Sequence, residues 1–131
     1  MVKDKRGKLE SYMKWRWSIP YTGHADKCNF LTGVGGVLYP PHSLDNEVFN
    51  EKVFLDICKY ADDVWFTAMA LKAGTPIIKT FTFNPKGEGY LENSYVQDTG
   101  LSIQNIDPSS CRNDSQIESV FSRYDLYKLI Q

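Results

Sequence analysis

The sequence predicts a mixed α/β domain of the α+β kind, with few strands flanked by about three helices. Its 131 residues and hydrophobic content of 42% are enough to build one core. An apolar run from Phe30 to Tyr39 stops at two prolines, which is typical of a buried strand. Two later segments, 45–60 and 61–73, repeat apolar residues at helical spacing. We therefore expect a single domain over residues 1–131.

The first forty residues are predicted to contain one helix and one strand. The helix covers residues 8–17 and cannot continue past Pro20, because proline removes a helical hydrogen bond and clashes with the preceding turn. The strand covers Phe30 to Tyr39. It ends at Pro40 and Pro41, since proline has no N–H to donate to a ladder.

Two helices are predicted in the middle of the chain. The first runs from about Asp45 to Tyr60, and its inward face consists of Phe49, Val53, Phe54, Ile57, Cys58 and Ala61. The second is capped by Ala61 or Asp62 and runs to about Ala73. Its apolar stripe consists of Val64, Trp65, Ala68 and Met69. Gly74 supplies the stop, and Pro76 prevents further helix.

The remainder predicts a strand, a turn and a closing helix. Residues 77–83 alternate as a strand, and residues 84–89 have the proline and glycines of a turn. Residues 90–108 show no clear pattern. Ser115 and Glu118 have the spacing of a capping box before the last helix. The apolar face of that helix consists of Ile117, Val120, Phe121, Tyr124 and Tyr127.

The charge distribution excludes a dedicated nucleic-acid binder. The net charge is −1 and the isoelectric point about 6.1, whereas such proteins usually carry a strongly basic domain. Residues 1–17 are nevertheless basic, with a net charge of +4. This arm has two interpretations: a solvated terminus, or a contact with phosphate or an anionic membrane surface.

The cysteine and histidine positions predict neither disulfides nor a metal site. The three cysteines are odd in number and lack Cys-x-x-Cys spacing, which fits reduced thiols. The two histidines lie in predicted loops without ligand spacing. The sequence shows no long apolar run and no signal peptide. We expect a cytoplasmic protein, with peripheral contact at the inner membrane face as an open alternative.

Two runs of the sequence resemble the C-terminal half of a bacterial glycosyltransferase of the family-2-like, GT-A type. They are Thr32-Gly33-Val34-Gly35-Gly36-Val37-Leu38-Tyr39-Pro40-Pro41 and Ala61-Asp62-Asp63-Val64-Trp65-Phe66, the latter followed by Ala68-Met69-Ala70. Weaker matches are Gly7-Lys8-Leu9, Tyr12, Trp15, Asn113-Asp114 and Gln116. The chain contains no Asp-x-Asp metal motif, so the resemblance covers only the acceptor-side half and the donor-binding half is missing.

The resemblance implies roles for the adjacent carboxylates. Asp63 would be the base of an inverting transfer to a sugar acceptor, and Asp62 would orient it or accept a hydrogen bond from the acceptor. Without the resemblance, Asp62 is an ordinary helix cap and Asp63 a partner of the helix dipole. Mn²⁺ or Mg²⁺ and a nucleotide sugar are expected only with the missing half, and no cofactor is expected in this chain.

Substrate contacts are expected from the glycine run and two aromatic residues. Gly33, Gly35 and Gly36 would let the backbone approach a sugar closely, although a β-bulge explains them nearly as well. A dinucleotide fingerprint is excluded because no glycine stands at position 38. Tyr39 is assigned to the wall of the sugar site, and Trp65 is expected to stack on a sugar ring.

Two classes of function remain open. The first is the acceptor-binding, base-carrying half of a glycosyltransferase in cell-surface polysaccharide synthesis. The second is a non-catalytic carbohydrate-binding or protein-interaction module derived from such an enzyme. In either case we expect self-association, because strands that would pair with the missing half would be left as open edges.

Overall fold

The structure is a computed structural model that describes residues 1–15, 23–33, 36–80, 105 and 112–130. Within these residues the elements are β1 (Ala25–Asp26), α1 (Glu51–Ile57), α2 (Asp62–Lys72), β2 (Ile77–Ile78) and α3 (Arg112–Arg123). Short 3₁₀ segments lie at Tyr12–Lys14, Asn46–Phe49 and Leu126–Ile130. The predicted mixture of helix and strand is confirmed at this coarse level.

Helix α2 is the central element and follows its predicted bounds closely. Asp62 and Asp63 occupy its first turn, where carboxylates interact favourably with the positive end of the helix dipole. Gly74 follows the helix with φ of +76°, and its N–H donates to Leu71 O at 2.9 Å. This left-handed glycine ends the helix because it reverses the chain at no steric cost.

The core lies between α2, α3 and the two later 3₁₀ segments. All four residues of the predicted α2 stripe are buried, and so are Ile117, Val120 and Phe121 of α3, as the sequence predicts. The residues that complete the buried cluster are Tyr12, Trp15, Cys58, Ala61, Leu71, Leu126 and Ile130. Burial of these apolar faces holds the helices together.

The helix predicted over residues 45–60 is interrupted. Residues 46–49 form a 3₁₀ segment, and α1 begins only at Glu51. Asn50 separates the two because its side chain accepts a hydrogen bond from the Val53 N–H at 3.2 Å and so caps α1. The break turns Phe49 outward, where it is 84% exposed, so its predicted place on the inward face is wrong.

The strand predicted over residues 30–39 is also wrong for its described part. Residues 30–33 and 36–39 lie outside any strand, and Leu38 is 90% exposed. A turn replaces the ladder: the Gly36 N–H donates to Gly33 O at 3.0 Å, and Gly36 has φ of +79°. A residue in this left-handed conformation cannot continue a flat strand.

The two named strands of the described residues pair over two residues each, and a single antiparallel bridge also joins Lys3 and Leu9. In the antiparallel pair β1–β2, Ala25 lies opposite Ile78 and Asp26 opposite Ile77. The strand predicted over residues 77–83 is shorter than expected, because residues 79 and 80 lie outside any strand. Its continuation, the turn at 84–89 and nearly all of 90–108 lie outside the described residues.

Two further predicted boundaries differ from the structure. Over residues 8–15 only Tyr12–Lys14 is helical, as a 3₁₀ turn, and residues 16 and 17 are not described. Helix α3 begins at Arg112, so Ser115 lies inside it and is not a cap. Its carbonyl accepts a hydrogen bond from Ser119 Oγ at 2.8 Å, as occurs within a helix. Across the described chain, no helix is both long and apolar enough to cross a membrane.

Candidate functional site

The two adjacent carboxylates lie at the start of α2, as the sequence predicts. The Val64 N–H donates to Asp63 Oδ1 at 2.8 Å, and the Asp63 N–H donates to Asp62 Oδ1 at 3.0 Å. These bonds satisfy backbone donors that have no partner inside the first turn. Asp62 is exposed, whereas Asp63 is only partly accessible. The pair therefore has one solvated and one shielded carboxylate.

This difference in environment changes the proton affinity of Asp63. Burial raises its pKa to about 6; the Val64 N–H acts in the opposite direction and the charge of Asp62 adds to the increase. A carboxyl group with a pKa near 6 is a stronger base than an ordinary aspartate and is still ionised at neutral pH. This combination suits acceptance of a proton from a hydroxyl group.

Three other titratable side chains lie within the electrostatic field of the pair. Burial, and then the charge of Asp63, raises the pKa of Tyr12. Burial, and then the two carboxylates, raises the pKa of the Cys58 thiol to about 12 and also raises that of Tyr39. Tyr12 and Cys58 are core residues, but Tyr39 is 37% exposed. Of these three side chains, Tyr39 is thus the most accessible to a ligand.

Trp65 does not have its predicted role. Its side chain is 2% exposed, and its Nε1 donates to Val48 O at 3.2 Å. The ring lies 5.8 Å from that of Phe54 and 6.2 Å from that of Tyr124, measured between centroids. A sugar ring cannot reach a face that is packed in this way, so the expected stacking on Trp65 is contradicted. Trp65 anchors α2 in the core.

The glycine run forms an exposed turn. Gly33 and Gly36 are both exposed, and a Cβ atom added at either would meet nothing within 4 Å. The backbone at these two positions is open, and the turn replaces the β-bulge alternative; contact with a sugar at these glycines stays a prediction. Gly35 lies outside the described residues.

A cleft of about 410 Å³ opens beside this turn. Gly36 and Tyr39 line it together with residues 29–32, Ser43 and residues 75–80. Neither Asp62 nor Asp63 lines it. Tyr39 connects the two regions, because its ring borders the cleft and packs 5.4 Å from the ring of Phe66, which follows the carboxylates on α2.

Sequence reasoning missed a polar network behind the carboxylates. The Tyr60 N–H donates to Gln116 Oε1 at 2.9 Å, and Asn105 Nδ2 donates to Tyr60 O at 2.6 Å. The Tyr12 N–H donates to Asp114 Oδ1 at 2.7 Å. Gln116 and Asp114 belong to the weaker matches of the resemblance, but their sequence spacing gives no indication of these partners. The network fixes the loop that leads into α2.

No metal-binding cluster of three His, Cys, Asp or Glu side chains occurs in the part of the chain that the structure describes. Asp62 and Asp63 alone supply two carboxylates, and Mg²⁺ at such a pair takes its remaining ligands from water and substrate phosphates.

Comparison with protein-family models, with curated proteins and with solved structures gives no match to this chain.

Proposed function

We propose that the chain is the acceptor-side, base-carrying part of an inverting glycosyltransferase of the GT-A type, acting in cell-surface polysaccharide synthesis. The observation that supports this most directly is the shielded carboxylate of Asp63, beside exposed Asp62 at the start of α2. The resemblance of residues 61–66 and 32–41 to such enzymes supplies the reaction type.

In the proposed reaction Asp63 accepts the proton of an acceptor hydroxyl. The hydroxyl oxygen attacks the anomeric carbon of the donor sugar, the new glycosidic bond forms, and the nucleoside diphosphate leaves with the electrons of the broken bond. Asp62 helps to hold Asp63 at the helix start, because its side-chain Oδ1 accepts a hydrogen bond from the Asp63 N–H. Tyr39 would contact the acceptor, because its side chain is exposed and the charges of both carboxylates, after burial, raise its pKa.

The resemblance assigns donor binding to a half that this chain does not match. The described residues contain no cluster of three metal-ligating side chains that could hold a diphosphate through a metal ion, so we expect the isolated chain to bind nucleotide sugars poorly and to lack transferase activity. Calorimetry with nucleotide sugars and Mn²⁺ checks this expectation. A micromolar, metal-dependent affinity would contradict it.

The decisive experiment measures turnover in the natural gene product that includes this chain, with a panel of nucleotide sugars and acceptors. Asp63→Asn is expected to reduce turnover by about 100-fold or more, the usual effect of losing a positioned base. Asp62→Asn should reduce turnover by a smaller factor than Asp63→Asn. Asp56→Asn is the matched control, since Asp56 is an exposed aspartate on the preceding helix α1. Full turnover in Asp63→Asn would refute the assignment of the base.

One observation favours a second candidate, a non-catalytic carbohydrate-binding or interaction module. The cleft beside the glycine turn is not lined by the carboxylates, so a ligand could occupy it without meeting the proposed base. The enzyme and the binding module predict different results for the Asp63→Asn variant. A module would bind its ligand equally well in wild type and Asp63→Asn, and no donor sugar would be consumed in either.

A further inference from the structure

The wall of the cleft contains a buried hydroxyl group without a hydrogen bond. Ser43 is 9% exposed, and no described residue is a partner of its Oγ. Its backbone is held independently, because the Ser43 N–H donates to Pro40 O at 3.1 Å. A buried polar group is nearly always satisfied in a folded protein, and Ser43 Oγ has almost no accessible surface, so its side chain must turn toward the cleft for a ligand atom to complete it.

The rest of the lining is mainly apolar and uncharged. Phe30 is half-buried and rests on Trp15, with the ring centroids 5.2 Å apart. Ile77 and Leu31 contribute aliphatic surface. Among the described lining residues the cationic groups are the Lys79 side chain, which already has an interaction partner, and the Met1 α-amino group, which donates a hydrogen bond to Cys28 O. Both cationic groups in this wall are therefore already engaged within the chain.

The size and chemistry of the cleft together define a ligand class. Its volume of about 410 Å³ lies within the usual range of small-molecule sites, which are mostly apolar and carry a few placed polar groups. We propose that the cleft binds a neutral, mainly apolar small molecule carrying one hydroxyl or carbonyl group, which forms a hydrogen bond with Ser43 Oγ. This site is separate from the carboxylate pair and does not depend on the proposed transfer reaction.

The test compares p-cresol with toluene, because the two probes share a ring and a methyl group and differ by one hydroxyl. Binding to the full chain is measured by titration in ¹H–¹⁵N correlation spectra. We expect p-cresol to bind about 10-fold more tightly than toluene, the effect of one hydrogen bond that satisfies a buried group. The shifted resonances should belong to residues 29–32, 36–44 and 75–80.

Variants at Ser43 test the role of its hydroxyl. Ser43→Ala should bind toluene as wild type does and lose most of the preference for p-cresol, while Ser43→Cys, with a weaker donor, should be intermediate. Ser119→Ala, which removes an exposed hydroxyl on α3, is the matched control and should keep the full preference. Correlation spectra of each variant confirm that it is folded.

Several results would overturn the proposal. Equal affinity for p-cresol and toluene in wild type would show that Ser43 Oγ contributes nothing. Tighter binding of glucose than of p-cresol would assign the cleft to a polar ligand. The proposal would also be wrong if Ser43→Ala kept the preference for p-cresol, or if the shifted resonances belonged only to residues outside the cleft. Failure of both aromatic probes to bind would contradict it as well.

Discussion

Replacement of Asp63 by asparagine should stabilise the protein at neutral pH, although it removes the proposed base. The folded-state pKa of about 6 lies above the ordinary value of 3.8, so the folded protein binds more protons than the unfolded chain between these values. Stability therefore falls as the pH rises through this window and stays low above it. The difference of about 2 pKa units corresponds to about 3 kcal/mol.

Asparagine avoids this loss because it is neutral at every pH and still offers an oxygen to the Val64 N–H. Asp63 is partly accessible, and solvent screening reduces the effect, so we expect a gain of about 1–3 kcal/mol above pH 6 and almost none at pH 3.5. Urea unfolding of both proteins at pH 3.5, 5 and 7 measures the difference in the free energy of unfolding.

The control is Asp62→Asn, which replaces the exposed member of the pair. It should change stability by about 0.5 kcal/mol or less, as is usual for surface substitutions. If Asp63→Asn is less stable than wild type at pH 7, or gains the same amount at pH 3.5 and pH 7, then the environment inferred for Asp63 is wrong.

Three further predictions concern packing, the glycine turn and association. Trp65→Ala should lose about 3–5 kcal/mol of unfolding free energy in urea, because it empties a packed core site; a loss below 1 kcal/mol would contradict its burial. Gly36→Ala should cost about 1–2 kcal/mol through its left-handed backbone alone, whereas Gly33→Ala should be nearly neutral, and equal costs in thermal melts would refute this difference. Light scattering should show self-association that Phe49→Glu weakens, since Phe49 is 84% exposed; a monomeric wild type would count against this.

The sequence was sufficient to predict α2 because its signals are local. The acidic first turn, the apolar stripe and Gly74 lie within the helix or directly beside it, and each acts through neighbours in the sequence. The strand over residues 30–39 failed for the opposite reason. An apolar run becomes a strand only if another segment supplies hydrogen bonds, and here Gly36 turns the chain instead. Likewise, the helical spacing of apolar residues over 45–60 predicts one helix, although the side chain of Asn50 caps a new one.

In the candidate site, too, the features set by neighbours in the sequence could be predicted and those set by distant residues could not. The position of Asp62 and Asp63 at a helix start follows from the sequence alone. The shielding of Asp63 does not, because burial depends on how segments far apart in the sequence pack; Tyr12, for example, lies within the field of the Asp63 charge. The direction of the Trp65 ring is set by Val48 O, which lies 17 residues earlier in the chain. Ser43 carries no sequence signal, since a single serine in a loop acquires meaning only when its burial is known.

The short β1–β2 ladder determines which part of the protein unfolds locally first. Two residue pairs close a long loop, so the entropy lost in forming the ladder is large compared with its few contacts, whereas α2 and α3 bury the core. We expect amide hydrogen exchange at Ala25 and Ile78 to proceed by local opening, long before exchange at the middle of α2. Because Ile77 and Ile78 also line the cleft, transient separation of the two strands would widen it while the helices stay folded. A molecule bound there would then slow exchange in β2 and leave the slowest amides of α2 unchanged.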